Sequence, residues 1–343
     1  MRLAAILLSL AVLLHHGSAL AWTGPVRPAP PDQPASGPGG RDAPFRGVLV
    51  QRHGEPPTGY TLLVPEDPVE DSPLRALPLV IFLHGFTAVE PDSYLAWLEH
   101  IARRGAVVVY PDYQTADPFG TPWAQMLPNA VAAVQDALAQ IETDRPGLVD
   151  ASRSVVVGHS LGGVLAMNLA AVADGRRIPA PLALMVVQPG GCTGCDPVPA
   201  DAGVALGRLA EIDPDTRLMM MVGADDGVVG DAAARILWDA VPQIPPDRRD
   251  FVTVLTDTHG DPALQADHAL PQTDLPGGPP DAYDWYGTWK LFDLLFACAT
   301  EGSGCDRAAG GAPAQRDMGA WSDGRPVLQP VFSDGPVAGT PTP

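Results

Sequence analysis

Positive charge is scarce in this sequence. Lys and Arg together number 21 against 40 Asp and Glu, so the 343-residue chain carries a formal net charge of −19. Such an acidic surface argues against nucleic acid or an anionic membrane as a partner. Long apolar runs are also missing: past the N-terminal segment, no stretch approaches the ~20 residues that cross a bilayer. There is no internal repeat. Cysteine is limited to Cys192, Cys195, Cys298 and Cys305. No histidine sits at a finger-like spacing from them, which argues against a zinc site.

The first residues have the three parts of a secretory signal. Arg2 supplies the positive end, Leu3 to Leu14 the short apolar run, and Ala19-Leu20-Ala21 the small-residue cleavage pattern. Residues 1–21 are therefore expected to be a signal peptide, with Trp22 opening the mature chain. No twin arginine precedes the run and no cysteine follows the cleavage site, so neither the folded-protein export route nor a lipid anchor is expected. The protein is expected to be secreted or periplasmic, without a membrane span. In an oxidising compartment the four cysteines pair. Three pairings are possible, of which local pairing, Cys192 with Cys195 and Cys298 with Cys305, is the simplest. A redox role for Cys192-Thr193-Gly194-Cys195 needs a helix behind the first cysteine, and Asp196-Pro197-Val198-Pro199 is a poor helix former.

Residues 22–44 are rich in Pro and Gly and read as a disordered linker. Residues 301–343 read as a low-complexity tail. The alternative for that tail is an ordered strap, held through Met318, Trp321, Val327, Leu328 and Phe332. Between the two, residues 45–300 form the expected catalytic domain, and 46% hydrophobic content supplies a sizeable core. Strand and helix patterns alternate there. Two opening strands with turn residues between them suit a hairpin. Leu77 to Leu83 is continuously apolar, as in a strand buried on both faces. About eight strands in all, separated by helical patterns, predict an α/β fold: a mostly parallel sheet with helices on both faces. Ligands of such sheets bind at the carboxyl ends of the strands.

One motif falls at such an end. Gly158-His159-Ser160-Leu161-Gly162 follows the apolar strand Val155-Val156-Val157 and opens what reads as an amphipathic helix. A sharp strand-to-helix turn lifts a serine hydroxyl above the sheet, and its glycines leave room for the turn. A serine hydroxyl is a weak nucleophile. It needs a base to take its proton and a carboxylate to orient that base. In this architecture the acid follows Ser160, after the strand ending at Val222. There Gly223-Ala224-Asp225-Asp226 offers Asp226 as the expected acid and Asp225 as its rival. The base is expected after the last strand, with His259 the first choice and His268, in the same long loop, its rival. His53 and His100 come too early in the chain. The oxyanion is expected to meet the backbone N–H of Leu161 and that of Phe86, in the loop His84-Gly85-Phe86. His84 is expected to be a structural, hydrogen-bonding residue. Trp123, Phe119 and Tyr113 are candidates for the substrate wall. No cofactor or metal is called for, although Asp225, Asp226 and Asp231 could together hold calcium.

These residues resemble the α/β-hydrolase superfamily from about Arg46 to Thr300. The segment LPLVIFLHGFTAVEPDSYLAWLEHIARRGAVVVYPDY is similar to the same region of chlorophyllases, dienelactone hydrolases and bacterial polyester hydrolases of the cutinase type. GHSLGG is shared with many lipases and esterases. The resemblance implies an α/β-hydrolase fold and cleavage of carboxylic esters through an acyl-enzyme, with no cofactor. Departures narrow it. HGF stands where hormone-sensitive-lipase-like esterases have HGGG, serine stands where dienelactone hydrolases carry cysteine, and no long helical insertion between Val187 and Arg217 would form a large lid domain. The expected substrate is a small-molecule or polymeric ester, and the expected state a monomer. The alternatives are a secreted peptidase or amidase on the same fold and an inactive hydrolase fold that only binds.

Overall fold

The computed structural model describes residues 27–69, 76–195, 202–273, 278–333 and 335. The expected signal peptide, the first residues of the expected linker and the segment after Cys195 lie outside these.

Among the described residues, one nine-stranded sheet runs in the order β1-β2-β4-β3-β5-β6-β7-β8-β9. The opening strands β1 (Phe45–His53) and β2 (Tyr60–Pro68) form the expected hairpin. β3 (Leu77–Leu83), β4 (Val107–Pro111), β5 (Val149–His159), β6 (Ala183–Val187), β7 (Arg217–Gly223) and β8 (Arg249–Val254) pair parallel. The last strand, β9 (Val331–Ser333), pairs antiparallel with β8.

All seven residues of β3 are buried, because alternate side chains enter different cores. Leu79, Ile81 and Leu83 join the core beneath α2 (Trp123–Asp144), α3 (Leu161–Val172) and α4 (Ala232–Asp239). Val80 and Phe82 join the core beneath α1 (Leu95–Arg103) and α5 (Trp289–Glu301). α3 is not the amphipathic helix its pattern suggests, since every residue from Leu161 to Ala171 is buried. It is enclosed by the sheet, α2 and the short 3-10 turn Leu209–Glu211, and a helix enclosed on all sides needs no polar face.

The described part of the expected linker, from Arg27 on, lies against the domain. Pro28 accepts from the Asp261 N–H, Ala29 exchanges two hydrogen bonds with Ser322, and the Gly39 N–H donates to the buried carboxylate of Asp293. Proline-rich chain loses little freedom when fixed in place, so a few such bonds hold it without a core of its own. The described part of the tail packs on the domain. Met318, Trp321 and Val327 enter the α1/α5 core, and Phe332 packs against it. Leu328 is exposed, and only its N–H is tied down, to Asp257. The cysteines form the two local disulfides, Cys192–Cys195 and Cys298–Cys305. No described helix is long and apolar enough to cross a membrane.

A buried acid near the tail yields a pH prediction. Asp284 lies in the helical turn Tyr283–Thr288, where its Oδ2 accepts from the Asp281 N–H at 2.7 Å. Its Oδ1 is buried without a partner among the described residues. Burial pushes this carboxyl well above its usual range, against the hydrogen bond from the Asp281 N–H, and the charge of Asp281 adds a smaller push upward. A raised acid opposes folding above its folded pKa and ceases to do so below its unfolded value. Asp284→Asn keeps an acceptor for Asp281 and removes the charge. It is expected to melt above wild type at pH 8, with the difference shrinking to nothing near pH 4. Equal melting temperatures at pH 8 would contradict this.

Candidate active site

Four non-glycine residues with positive φ stand just past the carboxyl ends of four neighbouring strands. They are Thr87 after β3, Tyr113 after β4, Ser160 after β5 and Gln188 after β6. Backbone strain of this kind persists where the surroundings over-determine it, and it concentrates at functional sites.

Ser160 has φ 54° and ψ −122°, between β5 and α3. Its neighbours explain the glycines of the motif. A Cβ on Gly158 would fall 2.2 Å from the Gly162 carbonyl oxygen, and one on Gly162 would fall 2.0 Å from that of Leu83. The turn is so tight that only hydrogen fits at either place. The Ser160 N–H donates to Val187 O, and Ser160 O accepts from Gly163 and Gly190. The residue is nearly buried, with its hydroxyl in contact with one partner.

That partner is His268, whose Nε2 lies 3.0 Å from Ser160 Oγ. Its Nδ1 lies 2.8 Å from Asp226 Oδ2. Because a carboxylate only accepts, Nδ1 carries the proton and Nε2 is free to accept from the serine. Asp226 is itself fixed: its Oδ1 accepts from the N–H groups of Val228 and Val229, and its side chain is fully buried. The neighbouring Asp225 is exposed and uses only its N–H, which donates to Ala266 O.

His259, the first choice from sequence, does not face Ser160. Its Nε2 lies 2.8 Å from Asp323 Oδ2, its Nδ1 lies 3.0 Å from an Arg325 nitrogen, and its ring meets Trp321 edge-on. The reason is a local detour. After β8, Asp257 and Leu264 exchange two backbone hydrogen bonds, closing an excursion with His259 near its tip. The excursion turns toward the tail, and the chain returns to the strand ends only at Ala266. Gly260 and Pro262, both turn formers just after His259, were the available signal.

The returning loop is held by three consecutive carbonyls. Ala266 O accepts from the Asp225 N–H, Asp267 O from Gln188 Nε2 at 2.6 Å, and His268 O from His159 Nε2 at 3.1 Å. Gly223 permits the approach, since a Cβ there would fall 2.2 Å from Ala266 O. Sequence reading passed over Gln188 and His159. Both are buried polar residues at strand ends, which is their only signal.

The loop after β3 lies on the other side of Ser160. A Cβ on Gly85 would come within 3.5 Å of Ser160 Cβ. His84 is sandwiched between Tyr110 and Tyr113, and its two nitrogens meet the carbonyls of Gly85 and Asp112. Burial pulls its pKa down to about 4, against the two carbonyls, which favour the proton. Phe86 follows Gly85 in this loop, and Leu161 opens α3, so the two expected oxyanion donors come from the segments flanking Ser160.

The expected substrate walls separate into three cases. Tyr113 is fully buried, stacked on His84 with its hydroxyl donating to His84 O, so it is packing and not a wall. Phe119 is 87% exposed on a surface loop. Trp123, half-buried at the start of α2, stacks on Phe86 at 5.3 Å. Among the described residues of 188–216, the only helix is the turn Leu209–Glu211. The calcium alternative finds its ligands engaged: Asp226 serves Val228, Val229 and His268, and Asp231 pairs with Arg235. No group of three or more candidate metal ligands occurs among the described residues.

Comparison with known proteins agrees with the fold. A family described as alpha/beta hydrolase fold matches residues 80–252. Over 115 residues the chain is 33% identical to acylamino-acid-releasing enzyme 1 of Oryza sativa subsp. japonica. That match takes in 32% of this chain and 15% of the rice protein, so the chain spans only a small part of its relative.

Proposed function

Because the chain belongs to the α/β-hydrolase fold family, we propose that it is a serine hydrolase cleaving carboxylic esters through an acyl-enzyme. The observation that carries this reading is the unbroken line from Ser160 Oγ through His268 to Asp226, at 3.0 and 2.8 Å.

Ser160 Oγ attacks the ester carbonyl while His268 Nε2 takes its proton. Asp226 holds the imidazole in the Nδ1–H tautomer and stabilises the cation that forms. The N–H groups of Phe86 and Leu161 receive the developing oxyanion, the latter helped by the N-terminal end of α3. His268 then gives its proton to the departing alcohol. A water deprotonated by the same nitrogen releases the acid and restores Ser160. The Phe86–Trp123 pair supplies an apolar surface next to the oxyanion loop, suited to an acyl or aromatic group.

The test is a screen of p-nitrophenyl esters from acetate to decanoate, with Ser160→Ala as the blank. Hydrolysis by wild type and silence of Ser160→Ala are expected. Silence of both proteins, with Ser160 unlabelled by a fluorophosphonate, contradicts the proposal. A second reading rests on the rice relative, whose name describes release of acylamino acids. In that reading the scissile bond is an amide. Matched ester and anilide substrates with one acyl group separate the two, and the ester is expected to turn over faster by orders of magnitude.

We also infer export, from the N-terminal signal pattern and the two disulfides. Protein recovered outside the cytoplasm should begin at Trp22, and retention of Met1 would contradict this.

A further inference from the structure

His159, the residue before the nucleophile, makes two hydrogen bonds whose directions can be deduced. Its Nε2 meets the His268 carbonyl, which only accepts, so Nε2 carries the proton. Burial and then the charge of His268 hold its pKa well below the ordinary value, so the ring is neutral and Nδ1 is an acceptor. The Tyr94 hydroxyl, 2.7 Å from Nδ1, therefore donates to it. That leaves both lone pairs of the Tyr94 oxygen for donors, and two donors are present. The Gly85 N–H lies at 3.0 Å and Gln272 Nε2 at 3.3 Å. The hydroxyl is fully saturated and fully buried.

The two ends of this chain of bonds are the two halves of the reaction centre. Gly85 precedes Phe86 in the oxyanion loop. His268 is the base, and Gln272 belongs to the same loop as His268. Tyr94 sits at the start of α1, and nothing in the proposed chemistry uses it. Its ring is secured separately, against Phe82 and Tyr110. Packing accounts for the ring and leaves the hydroxyl unexplained.

We propose that Tyr94 and His159 are positioning residues that tie the oxyanion loop to the loop bearing His268, so that oxyanion donor and base keep one mutual geometry. This rests on the serine hydrolase reading and deepens it. The loops leave different strands, β3 and β8, with β5, β6 and β7 between them in the sheet. The strands alone do not fix their separation to the accuracy that proton transfer and oxyanion binding demand. A saturated buried network does, because each member lost leaves another unsatisfied. The neutral ring of His159 serves a second purpose. Its centroid lies 4.8 Å from that of His268, with the rings tilted by 40°, and it adds no like charge when His268 becomes a cation.

The test uses Tyr94→Phe, which keeps the ring and removes only the hydroxyl, and His159→Phe as a second, independent variant. Each is expected to lower kcat by roughly 10- to 100-fold, with KM within about twofold, as small misplacements of reacting groups do. Fluorophosphonate labelling of Ser160 should slow in parallel. The two residues act through one path, so the double variant should lose no more than the worse single variant. The network is overturned if either folded variant keeps kcat within twofold of wild type, if the loss appears only in KM, or if the two losses multiply. Thermal melting is run alongside, and a variant that does not fold hands the decision to the other and to Gln272→Ala, which removes one donor and should show the same kcat-only loss. Ser160→Ala separates the two levels of the account. Activity surviving in it removes the hydrolase reading and the network together, whereas a silent Ser160→Ala beside a fully active Tyr94→Phe removes the network alone.

Discussion

Replacing His268 by alanine is expected to lower kcat/KM for a short ester by about 10⁴-fold or more, while replacing His259 by alanine leaves it within about threefold. The two histidines lie in one loop, nine residues apart, so the pair of variants is well matched. His268 touches both Ser160 Oγ and Asp226 Oδ2. Without it the serine proton has no acceptor, and the imidazolium that Asp226 would stabilise never forms. His259 touches Asp323, Arg325 and Trp321 and lies on the far side of the Asp257–Leu264 closure. Its loss removes partly exposed hydrogen bonds, which are worth little to stability and nothing to the chemistry. Comparable losses in the two variants would mean that the loop rearranges in solution.

The second large effect concerns the tail. Trp321→Ala is expected to destabilise the protein by about 3–5 kcal/mol, the usual cost of removing a buried tryptophan. Trp321 is 1% exposed and packs directly over Gly260, where a Cβ would fall 2.0 Å from its ring. Its Nε1 donates to Asp257 Oδ2 at 3.0 Å. Burial alone would raise the Asp257 carboxyl, but the donors Trp321, His259 N–H and Leu328 N–H, with Arg325 nearby, outweigh it and hold the group below its usual range. The variant therefore loses apolar contact and one support of a partly buried charge. Urea unfolding at neutral pH measures it. A loss below about 1 kcal/mol would mean that the tail is separable from the domain.

The same contacts explain where sequence reading reached and where it stopped. The parallel strands were legible because a strand buried on both faces is apolar throughout, as Leu77–Leu83 is. The serine turn was legible because its geometry admits only hydrogen at Gly158 and Gly162. Chain order then placed the acid beyond β7, and the spacing within Gly223-Ala224-Asp225-Asp226 pointed to the residue that meets His268. The base was a different kind of problem. Which of two histidines in one loop turns inward depends on the Asp257–Leu264 closure and on Trp321, Asp323 and Arg325, which are remote in sequence. Local pattern carries no trace of such contacts. The Pro/Gly-rich segment escaped, and the tail was legible only as an alternative, for a related reason. Neither has periodic apolar residues, and each is held by isolated anchors and backbone hydrogen bonds to the other, as Ala29 and Ser322 show.

The central claim is that an acyl group passes through Ser160 under the control of His268. Rapid-quench mass spectrometry during p-nitrophenyl ester turnover tests it most directly. The account predicts a transient acyl adduct on the peptide carrying Ser160, formed together with a burst of one p-nitrophenol per protein. That adduct should be absent from Ser160→Ala and nearly absent from His268→Ala, and retained in His259→Ala. An adduct on another residue, or full turnover by Ser160→Ala, would contradict it.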